Sequence, residues 1–282
     1  MKKIIIGIVV LVIGIIGIFA FGEKTPDIAV GGVEYEILKK WELPKMLNEI
    51  SGIAWIGENR VACVQDEDGI IFIYNLATNK IEKIIAFGSG GDFEGITVIK
   101  ENAYVLRSDG VIFEVSNYEG ENIKVQKYET AMMNLKGINL EGLGADPANN
   151  RLLLAVKERK EMNDQKEIYA FDLDKKNTGK DPFFHIDLRD PILKNVSGGA
   201  KNKFMPGEIA IHPGTGEIYI LDGSNPKILI ADKNGSLQKL VMLQARDFQN
   251  AEGLTFDPNG DLYISNEAGD QPANILRVSL LK

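Results

Sequence analysis

Two sets of charged and oxygen-rich side chains stand out along the chain. The first comes from a phrase that returns five times after residue 48, an acidic or glycine pair running into an apolar stretch: Glu49-Ile-Ser-Gly-Ile, Glu94-Gly-Ile, Glu141-Gly-Leu, Gly207-Glu-Ile and Glu252-Gly-Leu. The second closes the apolar run after each phrase: Asp66 with Glu67, Arg107, Lys157 with Glu158, Asp222, and Asn266 with Glu267. Carboxylates brought within a few ångströms raise one another's pKa, so such a gathering demands positive charge in its midst. Arg107 and Lys157 are one source of it, and a hard divalent cation is the other. Calcium takes about six to eight oxygen ligands in loose geometry, which suits donors drawn from separate repeats. Zinc and softer metals want His or Cys. The chain has only His185 and His212, at non-equivalent places in the repeat, and one cysteine, Cys63, inside an apolar run. The residues expected to hold calcium are therefore Glu49, Glu94, Glu141, Asp222, Glu252 and Glu267, with Asp66, Arg107, Lys157 and Asn266 as ligand-binding neighbours.

A second reading of the repeated Glu stays open beside the first: each carboxylate accepts hydrogen bonds from backbone amides of the next repeat and acts as a clamp. The two roles can be divided among the five positions. Asp222 in Leu-Asp-Gly-Ser-Asn-Pro also reads as a turn former, and the motif glycines as sites of close backbone approach. No Gly-x-Ser-x-Gly elbow is present, which argues against a serine triad. Asp146-Pro147, His212-Pro213 and Asp257-Pro258 occupy equivalent places and read as turns. Trp41 and Trp55 read as packing residues, and Cys63 as a small buried hydrophobe.

What must position these residues follows from their spacing. The phrases lie 45, 47, 66 and 45 residues apart, so the third gap is about twenty residues longer than the others. Each phrase leads into runs with strand chemistry, and a third run, at residues 70–74, 111–115, 167–171, 227–230 and 274–278, alternates apolar with polar. A more polar fourth run closes four of the units, at 81–86, 123–128, 183–188 and 237–243. Four antiparallel strands per unit of this length predict an all-β fold, a five-bladed β-propeller. The last unit has only three runs, and the alternating segment 33–43, which precedes the first repeat, is expected to supply its missing outer strand. That splice closes the ring and covers two exposed edges.

In a four-stranded meander the start of the first strand and the end of the second share one rim, so both sets of residues are expected at one mouth of the central channel. Two insertions belong to the same rim: residues 189–206, between units three and four, and 157–166, in a turn of unit three. The segment 194–203 is expected to act as a lid.

Residues 1–22 are a separate object, Met-Lys-Lys followed by an uncharged apolar run. About 20 apolar residues span a bilayer and flanking lysines favour the cytoplasm, so an uncleaved N-terminal transmembrane helix is expected, with the remainder on the periplasmic or extracellular side. A cleaved signal peptide is the rival reading. Residues 23–32 read as a tether and 33–282 as one propeller. Beyond residue 22 the chain carries all 40 acidic but only 30 of its 32 basic side chains, a net charge near −10, which speaks against nucleic acid as a partner.

The stretches Glu49-Ile-Ser-Gly-Ile-Ala-Trp, Asp92-Phe-Glu-Gly-Ile, Asn139-Leu-Glu-Gly-Leu and Asn250-Ala-Glu-Gly-Leu-Thr-Phe-Asp-Pro resemble the SdiA-regulated protein family over roughly residues 34–280. The run from Gly207 to Asp222 also looks like an NHL repeat. The resemblance implies a five-bladed propeller behind a membrane segment, with a calcium site, and Glu94, Glu141 and Glu252 match the motif. Unit four departs from it, because Gly207 fills the Glu slot and Glu208 is displaced by one. Two functions follow as expectations: a non-catalytic, calcium-binding propeller that takes a small molecule or protein at the channel mouth, and a calcium-dependent hydrolase of lactonase or phosphoesterase type.

Overall fold

The computed structural model describes residues 34–160, 164–196 and 203–281. The expected N-terminal helix and tether lie outside these residues. Among the described residues no helix is long and apolar enough to cross a membrane.

Runs that alternate apolar and polar side chains form 21 strands in five antiparallel sheets among the described residues. Blade one holds β2 (Ile50–Gly57), β3 (Arg60–Gln65), β4 (Ile70–Asn75) and β5 (Lys80–Ala86). Blade two holds β6 (Phe93–Ile99), β7 (Asn102–Arg107), β8 (Val111–Ser116) and β9 (Lys124–Glu129). Blade three begins with β10 (Asn139–Asp146), β11 (Arg151–Glu158) and β12 (Gln165–Asp172). Its outer strand is split into β13 (Asn177–Thr178) and β14 (Phe184–Asp187), both paired with β12. The run expected at 183–188 is β14; β13 is an additional piece ahead of it, and Gly179 and Pro182 fall between the two, proline having no amide to give to the ladder. Blade four holds β15 (Glu208–Ile211), β16 (Ile218–Asp222), β17 (Lys227–Ala231) and β18 (Leu237–Met242), and blade five β19 (Ala251–Phe256), β20 (Leu262–Asn266) and β21 (Asn274–Leu280).

Closure is as the sequence leads one to expect. The first strand, β1 (Tyr35–Glu42), pairs antiparallel with β21 from Tyr35 opposite Leu280 to Glu42 opposite Asn274, and so becomes the outer strand of blade five. The five inner strands β2, β6, β10, β15 and β19 neighbour one another in a complete ring around the axis. Five apolar clusters fill the spaces between successive blades, one per interface. The described ends of the long third insertion belong to one of them: Leu193, Val196 and Phe204 are buried between blades three and four. Residues 197–202, the middle of the expected lid, lie outside the described residues.

Trp41 of β1 shows how the splice is secured. Its indole is buried between blades five and one, lies 6.1 Å from the Tyr263 ring, and donates its Nε1–H to the Leu76 carbonyl at 2.7 Å. The closing strand is thereby tied to both neighbours, by its ladder to blade five and by this side chain to blade one. Trp41→Ala is expected to cost about 3–5 kcal/mol in urea unfolding, whereas Leu38→Ala on the exposed face of the same strand should stay within about 0.5 kcal/mol. Equal effects of the two substitutions would mean that β1 is a passive edge.

Candidate functional site

Strand register explains how the repeated Glu leaves its sheet. In blade two Phe93 pairs with Arg107 and Gly95 with Leu106, so Glu94 is an extra residue with no partner across the ladder. Glu141 is likewise the extra residue of blade three. One extra residue falls among Glu252 and Gly253 in blade five, and among Ser51 and Gly52 in blade one. Each of these β-bulges turns a side chain out of the pleat. The neighbouring glycine is forced by packing: a Cβ on Gly52 would lie 2.7 Å from the Ile96 amide nitrogen, one on Gly95 2.9 Å from the Glu141 carbonyl, and one on Gly253 2.8 Å from the Ile53 amide nitrogen.

Aligned by these glycines, the slot reads Ser51, Glu94, Glu141, Gly207 and Glu252. Glu49 is two residues away from it, equivalent to Asp92, Asn139 and Asn250, and lies exposed before β2. Blade four has no shift in its ladder, and Glu208 takes the place of the glycine. Glu208 is 1 % exposed and its Oε1 accepts from the Leu143 amide of blade three at 2.7 Å and from the Ile209 amide at 2.8 Å. This residue is the clamp, binding one inner strand to the next.

The other carboxylates meet around one ammonium. Lys157 Nζ lies 2.6 Å from Glu141 Oε1, which also accepts from Asn139 Nδ2 at 2.9 Å. Burial disfavours the charge of Lys157, yet Glu141, Glu252 and Glu94 together hold it above the ordinary lysine range. Burial, then Glu141, Asp92 and Glu252, push the Glu94 carboxyl up to about 9 against the pull of Lys157. Burial and Glu141 push Glu252 up to about 7. Burial also raises Glu141, with Lys157 opposing, and raises Glu208 well above the usual carboxylate range. The cluster is therefore balanced by one lysine and by retained protons. Two of its buried oxygens, Glu141 Oε2 and Glu208 Oε2, have no hydrogen-bond partner.

The remaining expected residues separate into a flank and a structural group. Asp66, Glu67, Glu49 and Glu267 form an acidic flank on blades one and five, in which Asp66 raises the pKa of Glu49, burial and then Asp66 raise that of Glu267, and Asp66 also acts on Glu252. Arg107 does not neutralise the ring; it forks onto Asp109 at 2.9 and 2.8 Å. Asp222 is fully buried, and all its acceptor positions are taken by Lys227 Nζ at 2.6 Å, the Met205 and Asn225 amides and Ser224 Oγ. A carboxylate offers about four lone-pair positions, so Asp222 has none left for a metal. Asn266 is buried and donates to Asn274 Oδ1 at 2.9 Å, while its own Oδ1 is buried without a partner.

Two further participants escaped the sequence reading. Lys166, 3 % exposed, donates to the Lys157 carbonyl at 2.7 Å and so fixes the backbone that carries the central ammonium. Burial holds its own pKa below the ordinary lysine range. Asp92 reaches the cluster electrostatically and accepts from Ser108 Oγ at 2.5 Å. Its place two residues before Glu94, matched by Asn139 and Asn250, is a signal that alignment by glycine would have revealed. Among the described residues, no three His, Cys, Asp or Glu side chains converge as a ready metal-binding group.

Fold and site together define a five-bladed β-propeller whose axial mouth is lined by buried and half-buried carboxylates around a lysine. The chain belongs to the SdiA-regulated family, which matches residues 27–270. No curated protein matches the chain. Among solved structures it is similar to the PQQ-bound aldose sugar dehydrogenase of Streptomyces coelicolor, at 12 % identity over 87 % of this chain and 97 % of that one, TM-score 0.52. A nidogen/laminin complex aligns at 15 % identity over 77 % and 72 %, TM-score 0.50. A streptogramin B lyase aligns at 16 % identity over 85 % and 68 %, TM-score 0.45. Likeness at this level is one of fold alone.

Glu94 and Glu252 hold a proton more tightly in the folded chain than their ordinary value of 4.5. A raised acid favours folding most at low pH and loses that contribution as pH climbs, up to about 7 for Glu252 and about 9 for Glu94. The melting temperature should therefore fall from pH 5 to pH 9, and Glu94→Gln should flatten the upper part of the fall and be the more stable protein at pH 9. A parent profile without slope would refute the buried, proton-holding cluster. For Asp222 the expected signature is structural: Lys227→Met leaves its charge buried and unpaired, at a cost of about 3–5 kcal/mol in unfolding.

Proposed function

We propose that this protein is an exported, membrane-anchored binding module whose acidic channel mouth takes a positively charged group on hard oxygen donors. The observation that carries this reading is the surplus of carboxylate around Lys157, with the half-buried Glu94 and Glu252 raised to about 9 and 7 and Glu141 Oε2 buried without a partner. A cation entering there replaces protons and so relieves a charge imbalance already paid in burial. The donor set suits calcium in kind, being oxygen only, and Glu94, Glu141 and Glu252 would hold it by closing in around the ion, since as described they do not converge as a metal-binding group. The anchor rests on the apolar run of residues 1–22 and the lysines before it. The hydrolase alternative draws on one feature, the Glu252 carboxyl near 7, a value suited to proton transfer at neutral pH.

Melting of residues 23–282 with calcium, with a primary diamine such as cadaverine, and with chelator tests the reading. A ligand that binds only the folded chain raises its stability with concentration, and one that displaces protons does so more strongly at pH 9 than at pH 6. Calcium active alone assigns the site to a metal ion; the diamine active alone assigns it to an ammonium-bearing ligand. If the parent and the Glu94→Gln, Glu252→Gln double variant melt identically under all three conditions, the proposal fails. Turnover of lactones or phosphate esters that the same double variant abolishes would move the protein into the hydrolase class.

A further inference from the structure

Blade one has a face that its neighbours cover only in part. Alternation along β3, β4 and β5 turns Gln65, Ile70, Phe72 and Ile84 to the same side, with Phe72 directly opposite both Cys63 and Ile84 in the ladders. Toward the axis this side is closed by the core between blades five and one, where Trp41, Leu47, Cys63 and Phe72 are buried. Leu47 comes from the single 3-10 turn Lys45–Leu47, which carries the chain from β1 to β2. Cover ends before the outer strand: Ile84 stays 52 % exposed, and Met46 of the same turn 55 %. Both line a groove of about 430 Å³, with Ile70 and Phe72 in its wall. A single exposed apolar side chain needs no explanation, but two that line one groove mark a surface open to a guest. The volume falls in the range of small-molecule sites, about 300 to 1,000 Å³.

The rim of the groove is acidic. Glu49, Glu67 and Asp68 line it against one cation, Lys45. Asp68 Oδ2 accepts from Gln65 Nε2 at 3.1 Å and is thereby turned to its own blade. The Glu49 and Glu67 carboxylates and the Lys45 ammonium enter no ion pair or hydrogen bond among the described residues. Asp66 and then Glu67 raise the Glu49 pKa, as like charges do when no cation stands between them. The groove therefore joins uncovered apolar surface to a surplus of negative charge, and its complement is a molecule with an apolar body and a positive head.

We propose that this groove holds a small amphipathic amine, its ammonium at Glu49 and Glu67 and its apolar body against Met46, Ile70 and Ile84. The assignment deepens the reading of a mouth that takes positive charge, by naming the carrier of that charge, and rests on it. Its residues nevertheless lie outside the axial cluster of Glu94, Glu141, Glu252 and Lys157.

The probes are 4-phenylbutylamine, n-butylamine and 4-phenylbutyrate, titrated calorimetrically into the full-length protein carrying Glu94→Gln and Glu252→Gln, which silences the axial cluster and leaves the groove as it is. Expected is saturable binding of the phenyl amine, about tenfold or more tighter than butylamine because the ring leaves water, and no binding of phenylbutyrate, whose charge has the wrong sign. Met46→Ser with Ile84→Ser, at exposed positions and so close to neutral for stability, should erase the advantage of the phenyl amine. Glu49→Gln with Glu67→Gln should weaken both amines about threefold or more. Uptake by a solubilising detergent is common to every variant and cancels in the comparison. The melting response of the parent to calcium or cadaverine should be untouched by Met46→Ser with Ile84→Ser, so that failure of the axial site and failure of the groove are told apart. Equal affinity for the two amines, equal binding by the Met46→Ser, Ile84→Ser variant, or phenylbutyrate bound as well as the amine overturns the inference. Tighter binding of a basic, leucine-bearing tetrapeptide amide, lost in the same variant, would give the groove to a polypeptide partner and overturn its assignment to a small amine.

Discussion

Close approach of the five inner strands at the axis is the constraint from which the rest of this propeller follows. At Gly52, Gly95 and Gly253 the next blade's backbone lies so near that a Cβ would come within 3 Å of it. Strands pressed this tightly cannot also carry a regular ladder out to their partners, and an extra residue is accommodated by a bulge beside each of these glycines. A bulge bends its strand and re-aims its side chain. In two blades the re-aimed residue is itself a glutamate, Glu94 and Glu141. Crowding of the backbone is thus converted into crowding of charge.

That charge is carried in a medium where solvation is poor, and the chain answers in two ways. Lys157 neutralises Glu141 directly and is itself held in its charged form by three carboxylates. Lys166 secures the carbonyl of the same residue, so the ammonium is anchored from behind. The second answer is protonation, since Glu94, Glu252 and Glu208 all bind protons more tightly than free carboxylates. Other charged residues that share the rim are spent elsewhere. Arg107 is forked onto Asp109, and Asp222 is enclosed with Lys227 as a pair that ties β16 to β17 and to the end of the third insertion.

Much of this architecture is legible in the chain because a repeat writes the same constraint five times. Strand count, blade number and the use of β1 to complete blade five all follow from alternation and spacing, since one face of each strand must be apolar to fill an inter-blade core. The convergence of Glu94, Glu141 and Glu252 with Lys157 was legible too, because it depends only on strand direction. What could not be read was the pairing of particular side chains. Arg107 and Asp222 look identical in sequence whether they face the axis or a near neighbour. Glu49 was aligned by its charge, whereas backbone packing aligns Gly52, and this places Ser51 in the slot. The piece β13, ahead of the expected outer strand of blade three, shows the same limit, because two residues are too few for alternation to reveal. A cavity of about 590 Å³ at the other end of the channel was hidden for another reason: the apolar part of its lining has the pattern of any inner strand, and only the space between the strands distinguishes it.

Departures from fivefold repetition are what give the ring a direction. Around the axis the slot runs Ser51, Glu94, Glu141, Gly207, Glu252, so Glu94 and Glu141 are adjacent and Glu252 stands alone between the two small residues. Lys157 comes from the blade that carries Glu141 and pairs with it, and it acts next on Glu252 and only then on Glu94. Gly207 leaves its slot without a side chain, while the carboxyl of the next residue, Glu208, is withdrawn from the mouth to clamp Leu143. Charge and side-chain volume are therefore unevenly divided: Lys157 of blade three serves Glu141 first and Glu252 next, while the slots of blades four and one carry only glycine and serine. A perfectly repeated motif would have filled all five slots with carboxylates and allowed no such separation. The side of the mouth nearest Glu252 thus combines a carboxylate held near 7 with the two smallest residues of the slot, Gly207 and Ser51.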